Sequence, residues 1–283
     1  MNYSEEAFVF ECGGTTLVAI ATEPTQNTCS TGLLVVVGGP QYRVGSHRQF
    51  VQLSRALASH GIACLRFDTR GMGDSDGKSR DFTEIHEDIA AAADAFFDRN
   101  PGLTDIVLWG LCDGATAAAF YAPEDTRVSG LILLNPWVHT QEGEARAYLR
   151  HYYWRRAASS AFWRKLFAGD FNLGRSLRDA FQLVQRAFLR TTTSDGSHSQ
   201  VDMSLPRLFH QKLTQRPVDT LILLSQKDLV AQEFESLINS DDDWSQFSET
   251  VTIERLEDAD HTFSNPQDAG RAIQLTVDWI RRS

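Results

Sequence analysis

The chain has 283 residues, of which 42% are hydrophobic and 23% charged, and its formal net charge at neutral pH is −10. This composition is typical of a globular protein and excludes a disordered or fibrous chain, while the negative charge argues against general nucleic-acid binding. The longest apolar run, residues 33–37, is too short to span a bilayer, and residues 1–6 lack the pattern of a signal peptide. We therefore expect a soluble, cytoplasmic protein without a transmembrane segment.

The four cysteines are irregularly spaced and match neither a disulfide scaffold nor a CxxC metal site. The histidines show no ligand spacing, and no glycine-rich phosphate loop follows a strand. The sequence therefore predicts free thiols and no metal or organic cofactor. The cysteines are Cys12, Cys29, Cys64 and Cys112.

Short β-branched runs alternate with amphipathic segments, a pattern typical of a largely parallel sheet with flanking helices. Residues 7–11 and 16–21 predict an N-terminal hairpin around Cys12-Gly13-Gly14. Further strands are predicted at residues 33–37, 62–67, 105–109, 128–134, 220–224 and 251–256, and helices at 46–60, 81–99, 115–121 and 268–282.

About 85 residues with helical periodicity separate the strand ending at Leu134 from the strand starting at Thr220. Long insertions of this kind are often lids or binding elements. We predict a core domain of residues 1–136 and 218–283, with a helical cap inserted at residues 137–217.

The predicted cap is rich in basic and aromatic residues. Residues 145–168 contain six basic and no acidic side chains, and residues 137–210 carry +5 while the remainder carries −15. Arginines bind phosphates and aromatic rings cover acyl chains or nucleobases, so the cap is a candidate site for a phosphate-bearing substrate. Two alternatives are pairing of its arginines with the acidic core and peripheral contact with an anionic membrane. The candidate substrate-binding residues are Tyr153, Trp154, Arg155 and Arg156.

Two segments resemble the G-x-S-x-G turn that carries a nucleophile between a strand and a helix. Gly73-Asp74-Ser75-Asp76-Gly77 matches literally, but Ser75 lies in the middle of a loop with no helix after it. Gly110-Leu111-Cys112-Asp113-Gly114 directly follows a predicted strand and precedes a predicted helix. Context therefore favours Cys112 as the nucleophile, against the alternative of a buried structural cysteine.

A nucleophile needs a base and a group that orients the base. Asp228 follows the strand at residues 220–224, and His261 follows the last predicted strand. This order of nucleophile, acid and histidine is that of α/β-hydrolases. We predict a Cys112–His261–Asp228 triad, with Asp258 and Asp260 as competing acids that adjoin the histidine in sequence.

The oxyanion hole is predicted from the same topology. One donor is the backbone N–H of Asp113, and the second should come from the loop Gly38-Gly39-Pro40-Gln41. Proline has no N–H, so Gln41 is the candidate, through its backbone or side chain. The alternative is that Gly-Gly-Pro only makes the turn.

Five segments of the chain carry a wider resemblance: GGPQYRVGSHR at 38–48, LRFDTRGMGDS at 65–75, WGLCD at 109–113, LNPW at 134–137 and DADHTF at 258–263. They resemble the exosortase A system-associated hydrolase 1 family of the α/β-hydrolase superfamily, over nearly the whole chain. The resemblance implies an α/β-hydrolase fold, with a mostly parallel central sheet flanked by helices. It also implies a bacterial setting near exopolysaccharide and protein-sorting genes, with acyl-activating and acyl-carrier genes among the neighbours, but no substrate.

A cysteine in this turn resembles dienelactone hydrolases and polyhydroxyalkanoate synthases. Thiolate attack suits esters and thioesters, because a thiolate leaves a tetrahedral intermediate more readily than an amine does. We therefore predict a hydrolase of a small-molecule or carrier-bound acyl ester or thioester. One alternative is an acyltransferase that uses the same three residues to pass the acyl group to a saccharide or other acceptor. The other is a non-catalytic binding protein on a hydrolase fold.

Overall fold

The structure is a computed structural model that describes residues 2–26, 28–39, 41–138, 204–240 and 242–282. Within these residues the strands form a single eight-stranded sheet in the order β1-β2-β4-β3-β5-β6-β7-β8. Their bounds are β1 (Tyr3–Cys12), β2 (Thr15–Pro24), β3 (Thr31–Val36), β4 (Cys64–Phe67), β5 (Asp105–Leu111), β6 (Val128–Leu134), β7 (Asp219–Ser225) and β8 (Thr252–Leu256).

The sheet is antiparallel at one edge and parallel elsewhere. β1 and β2 form the predicted hairpin, and β2 pairs antiparallel with β4. All remaining neighbours, from β4 through β3 and β5 to β8, are parallel. The predicted fold class, an α/β-hydrolase fold with a mostly parallel sheet, is confirmed.

The α-helices of the described residues flank this sheet. Two of the predicted helices begin later than expected. The helix predicted from residue 46 begins at Gln49, because His47 and Arg48 have left-handed backbone conformations. The helix predicted from residue 81 begins at His86, because Asp81 caps a short 3-10 turn that ends at Glu84. The helices are α1 (Gln49–Ser59), α2 (His86–Arg99), α3 (Asp113–Tyr121), α4 (Leu205–Gln215), α5 (Leu229–Ile238), α6 (Asp242–Thr250) and α7 (Pro266–Ile280).

Apolar side chains cover both faces of the sheet, as the continuous run at residues 33–37 predicts. Leu34 and Val36 pack into the core on one face of the sheet, called here the first core. Leu33 and Val35 pack into the second core, on the opposite face. Helix α3 lies in the first core, and every residue from Gly114 to Tyr121 is buried. Its alanines let the helix approach the sheet closely, which fixes the position of its first turn.

The chain leaves β6 through Asn135, Pro136 and Trp137 and is described again from Ser204. Helix α4, which belongs to the segment predicted as a cap, packs against α3 and buries Phe209 and Leu213 in the first core. Residues 139–203 of the predicted cap lie outside the described residues. No helix in the described ranges is long and apolar enough to cross a membrane.

Candidate active site

The turn between β5 and α3 holds Cys112 in a strained backbone conformation. Its φ and ψ are 60° and −125°, which L residues rarely adopt and which costs about 1–3 kcal/mol. The Cys112 N–H donates to the carbonyl of Leu134 at 2.9 Å, and its carbonyl accepts from the N–H of Ala115 at 3.1 Å. The sharp turn places Cys112 at the carboxyl edge of the sheet, where its side chain is partly exposed and packs against one of the two hydrophobic cores.

Three glycines make this turn sterically accessible. A Cβ at Gly110 would lie 2.5 Å from the backbone of Gly114, and one at Gly114 would lie 2.6 Å from the carbonyl of Val36. A Cβ at Gly38 would meet the nitrogen of Gly114 at 2.2 Å. The small residues that mark the motif in the sequence are therefore required by the close packing of β3, β5 and α3.

His261 and Asp228 meet at the same edge of the sheet, in the loops that follow β8 and β7. Nδ1 of His261 lies 2.7 Å from Oδ2 of Asp228. Asp228 is 7% exposed and caps α5, since its carboxylate accepts from the N–H groups of Val230 and Ala231, both at 3.3 Å. The helix cap thus fixes the carboxylate that orients the imidazole.

The His261 imidazole has a raised pKa, and both Asp228 and Cys112 contribute to the rise. Burial of the ring lowers its pKa, but the hydrogen bonds to Asp228 and Cys112 outweigh burial and raise the pKa of His261 to about 10. An imidazole with this pKa is protonated at neutral pH.

The carboxylate of Asp113 binds the loop that faces the turn. Oδ2 accepts from the N–H of Gly39 at 2.7 Å, and Oδ1 accepts from the N–H of Gly114 at 3.0 Å. Burial raises the pKa of the Asp113 carboxyl, and the N–H groups of Gly39, Gly114 and Asp113 itself partly offset this. The Asp113 side chain therefore lies at the predicted oxyanion hole, while the role of the Asp113 N–H as a donor there stays a prediction.

Gln41 lies in the facing loop, beside Pro40, which is outside the described residues. Its Oε1 accepts from the N–H of Ser46 at 3.4 Å, a bond within the loop. The loop is anchored by Arg43, whose N–H donates to Asp68 at 2.7 Å and whose guanidinium pairs with Asp68 and Asp74. A role of Gln41 as the second oxyanion donor stays a prediction.

Ser75, in the literal G-x-S-x-G segment, has a hydroxyl engaged in backbone hydrogen bonds. Its Oγ donates to the carbonyl of Asp68 at 2.8 Å and accepts from the N–H of Val18 at 2.9 Å. These bonds join the loop after β4 to β2. The contacts of Ser75 are those of a loop-fixing residue.

The two competing acids have other partners. Asp258 forms an ion pair with Lys227 at 2.6 Å. Asp260 accepts from the N–H groups of Thr262 and Ser264, at 3.1 and 3.0 Å, and from the Ser264 hydroxyl. Asp260 therefore shapes the turn that carries His261, whereas Asp228 contacts its ring.

One residue at this edge was not among the predicted site residues. Asn135 follows β6, is fully buried and hydrogen-bonds to the backbone carbonyl of His261. The available signal was its position directly after a buried strand, as for Cys112. The predicted cap residues Tyr153, Trp154, Arg155 and Arg156 lie outside the described residues.

A model of the alpha/beta hydrolase family matches residues 33–273, which include Cys112, Asp228 and His261. The chain belongs to the alpha/beta hydrolase family. This alpha/beta hydrolase also shares its fold with solved structures of low sequence identity. An esterase of Pyrococcus furiosus, Pf2001, is 13% identical with a TM-score of 0.66 over 99% of this chain and 91% of that one. Dienelactone hydrolase of Anabaena variabilis is 14% identical with a TM-score of 0.62 over 100% and 99% of the two chains.

A curated relative of this alpha/beta hydrolase matches over a shorter region. Polyketide transferase grgF of a Penicillium species is 30% identical over 107 residues. The match spans 36% of this chain and 36% of that protein. Esterase- and transferase-named proteins thus both occur among the similar proteins.

Proposed function

We propose that this alpha/beta hydrolase cleaves esters or thioesters through a covalent acyl-cysteine intermediate. The observation that carries the proposal is the 2.7 Å hydrogen bond between Nδ1 of His261 and Asp228, at the sheet edge where the strained turn of Cys112 also lies. A thiol at a strained strand-to-helix turn, an imidazole beside it and a buried carboxylate behind the ring are the parts of a nucleophilic site. The roles of the three residues are part of the proposal.

Acylation begins with attack of the Cys112 thiolate on the carbonyl carbon of the substrate. The new C–S bond moves the carbonyl electron pair onto oxygen, and the N–H of Asp113 together with a donor of the Gly38–Gln41 loop stabilises this oxyanion. When the intermediate collapses, the bond to the leaving alcohol or thiol breaks. The His261 imidazolium gives its proton to that leaving group, which leaves a neutral imidazole and an acyl-cysteine thioester.

Deacylation reverses the proton flow. Neutral His261 removes a proton from water as the oxygen attacks the acyl carbon, and the C–S bond then breaks to restore the thiolate and the imidazolium. The products are a carboxylic acid and free enzyme. Asp228 keeps Nδ1 of the ring occupied throughout, so that the other nitrogen faces the reacting atoms.

An acyltransferase is the second candidate, and the similarity to polyketide transferase grgF favours it. The acyl-cysteine would then react with an alcohol, amine or thiol acceptor in place of water. The residues and proton transfers stay the same, because only the identity of the attacking group changes. Access of water and acceptor to the acyl-enzyme decides between the two.

We also propose that the substrate is an acyl thioester. The basic and aromatic segment around Arg155 and Arg156 suits a phosphopantetheine thioester on coenzyme A or a carrier protein. The resemblance to the exosortase A system-associated hydrolase 1 family supports a cytoplasmic role near acyl-activating and acyl-carrier enzymes. This setting is consistent with an acyl thioester as the substrate.

Intact-protein mass spectrometry tests the proposal. The protein is incubated with a panel of acyl-CoAs and small activated esters, with Cys112→Ala beside the wild type. We expect an adduct of acyl mass on the wild type alone, which peptide mapping assigns to Cys112. Hydrolysis of the adduct without an added acceptor identifies a hydrolase. Faster loss of the adduct when alcohols, amines or thiols are added identifies a transferase.

The contrary results are equally specific. Equal labelling of Cys112→Ala would move the nucleophile to another residue. Absence of both an adduct and substrate consumption across the panel would contradict the proposal for these acyl donors and favour a non-catalytic hydrolase fold. The other cysteines provide an internal reference: Cys12 and Cys64 are buried, and burial raises the pKa of Cys64 to about 12.

A further inference from the structure

Asn135 is a buried polar residue in an unusual backbone conformation at the end of β6. It is 0% exposed and has a φ of 45°, a left-handed conformation that asparagine tolerates better than most residues. Its N–H donates to the carbonyl of Leu223 at 3.0 Å and extends the pairing of β6 with β7 by one residue. Its side-chain amide is therefore held at the carboxyl edge of the sheet.

The amide of Asn135 joins two loops that are distant in sequence. Oδ1 accepts from the N–H of Ser225 at 2.8 Å, while Nδ2 donates to the Ser225 hydroxyl at 3.0 Å and to the carbonyl of His261 at 3.4 Å. The Ser225 carbonyl in turn accepts from the N–H of Asp228 at 3.0 Å. One amide thus connects the loop of the carboxylate with the peptide of the histidine.

The residues on either side of Asn135 bind the backbone of Cys112. The carbonyl of Leu134 accepts from the Cys112 N–H at 2.9 Å, and the N–H of Trp137 donates to the Cys112 carbonyl at 3.2 Å. Residues 134–137 therefore contact all three loops that carry the proposed reaction. A group buried among hydrogen bonds of fixed direction is well suited to hold such loops in register.

We propose that Asn135 is a positioning residue, whose side-chain amide sets the separation of the His261 and Asp228 loops and thereby the approach of the imidazole to Cys112. The inference rests on the proposed function, because it assigns Asn135 a role in that reaction. Asn135 touches no reacting atom in this arrangement. Its effect is exerted through the backbone of His261 and through Ser225.

The test measures the reactivity of the Cys112 thiol and does not require a known substrate. Alkylation of each cysteine by iodoacetamide is followed by peptide mass spectrometry from pH 5 to pH 10, with Cys29 as the internal reference. Asn135→Gly removes the amide while accepting the left-handed backbone. Because thiolate stability depends on the adjacent imidazolium, we expect this variant to shift the alkylation profile of Cys112 to higher pH and to leave Cys29 unchanged.

The same variant is assayed with an acyl donor that labels the wild type. We expect kcat to fall by about 10- to 100-fold with little change in KM, since misplacement of a reacting group affects the chemical step. Ser225→Ala keeps the bond from Asn135 to His261 and should shift the alkylation profile in the same direction by less. This second variant keeps the inference testable if Asn135→Gly does not fold.

Phe96→Leu provides the matched control for lost stability. Phe96 is fully buried in α2, and its substitution should lower the melting temperature without moving the Cys112 profile. If the Asn135 and Ser225 variants lower only the melting temperature, as this control does, the positioning role is wrong while the proposed function stands. If wild-type Cys112 is no more reactive than Cys29, the proposed function and the positioning role are both wrong.

Discussion

Oδ2 of Asp113 accepts a hydrogen bond of 2.7 Å from the backbone N–H of Gly39, so the residue that follows Cys112 holds the loop that follows β3. The bond joins the first turn of α3 to the segment that follows β3. We propose that both segments supply donors to the oxyanion hole. The width of that hole therefore depends on a carboxylate as well as on backbone geometry.

Replacement of Asp113 tests this dependence. Asp113→Ala removes the acceptor for Gly39, and we expect kcat/KM for an activated ester to fall about tenfold, the equivalent of one hydrogen bond of about 1.4 kcal/mol. Asp113→Asn keeps an oxygen acceptor and should lose less activity. Steady-state kinetics of both variants provide the measurement, and wild-type rates in Asp113→Ala would show that the bond does not shape the site.

The backbone strain at Cys112 predicts that a variant without a Cβ at this position is more stable than a variant that keeps one. With φ at 60°, glycine fits the turn without a Cβ penalty, whereas alanine retains that penalty. We expect Cys112→Gly to be more stable than Cys112→Ala by about 1 kcal/mol, or about 2–4 °C in Tm, with both variants unable to form the acyl adduct. Calorimetry measures the difference, and greater stability of the alanine variant would contradict stored strain.

The raised pKa of His261 predicts a pH-dependent contribution to stability. Burial lowers the pKa, but hydrogen bonds to Asp228 and Cys112 raise it from 6.5 to about 10, so the folded state binds this proton more tightly than the unfolded state. The contribution is complete below about pH 6.5 and is lost as the pH rises through about 10.

Asp228→Asn removes the charge that holds the proton and keeps a side chain able to cap α5. We expect the wild type to exceed this variant in free energy of unfolding by about 1–2 kcal/mol at pH 6, a value reduced for solvent screening of the partly exposed ring. The difference should shrink towards pH 10. Urea denaturation at the two pH values measures it, and a difference independent of pH would count against protonated His261 in the folded protein.

Ser75 provides a contrast to Cys112. Ser75→Ala leaves the N–H of Val18 without its acceptor, so we expect a loss of about 1–2 kcal/mol in free energy of unfolding. The yield of acyl adduct per folded molecule should not change. Normal stability combined with loss of the adduct would instead identify Ser75 as a participant in the chemistry.

The basic and aromatic segment around Arg155 and Arg156 predicts that substrate binding depends on the phosphate groups of the substrate. Replacement of Arg155 and Arg156 by alanine should raise KM for an acyl-CoA about tenfold or more, with little effect on a small neutral ester. Alanine at Arg281 and Arg282, which are exposed on the last turn of the chain, removes the same charge elsewhere and serves as the control. Equal effects on both substrates would indicate a structural role for Arg155 and Arg156.

Local sequence signals predict much of this fold because they are strong where the sheet is formed. The run at residues 33–37 is apolar throughout, and the run at 131–134 is Leu-Ile-Leu-Leu, so the burial of both follows from composition alone. The position of Cys112 follows from glycines whose missing side chains admit a tight turn. The meeting of Asp228 and His261 follows from the rule that parallel strands bring their carboxyl ends to one edge.

Contacts made by single polar side chains are not predictable in this way. The Asn135 amide reaches residues 90 and 126 positions away, and nothing in its local sequence specifies either partner. The Asp113 side chain could equally have faced solvent. Helices α5 and α6 were not predicted, because no motif marks them, whereas the equally short α3 was predicted from its place after the Cys112 turn.

The hydrogen bond from Trp137 to the Cys112 carbonyl has a consequence for chimeric proteins. The stretch between β6 and β7 is a natural unit to exchange between related enzymes in order to alter selectivity. A junction at Leu134 would replace both Asn135 and Trp137 with foreign residues. A junction after Val138, which is buried in the core, preserves them. Exchanges made at this second junction should retain the reactivity of the parent cysteine, whatever segment they import.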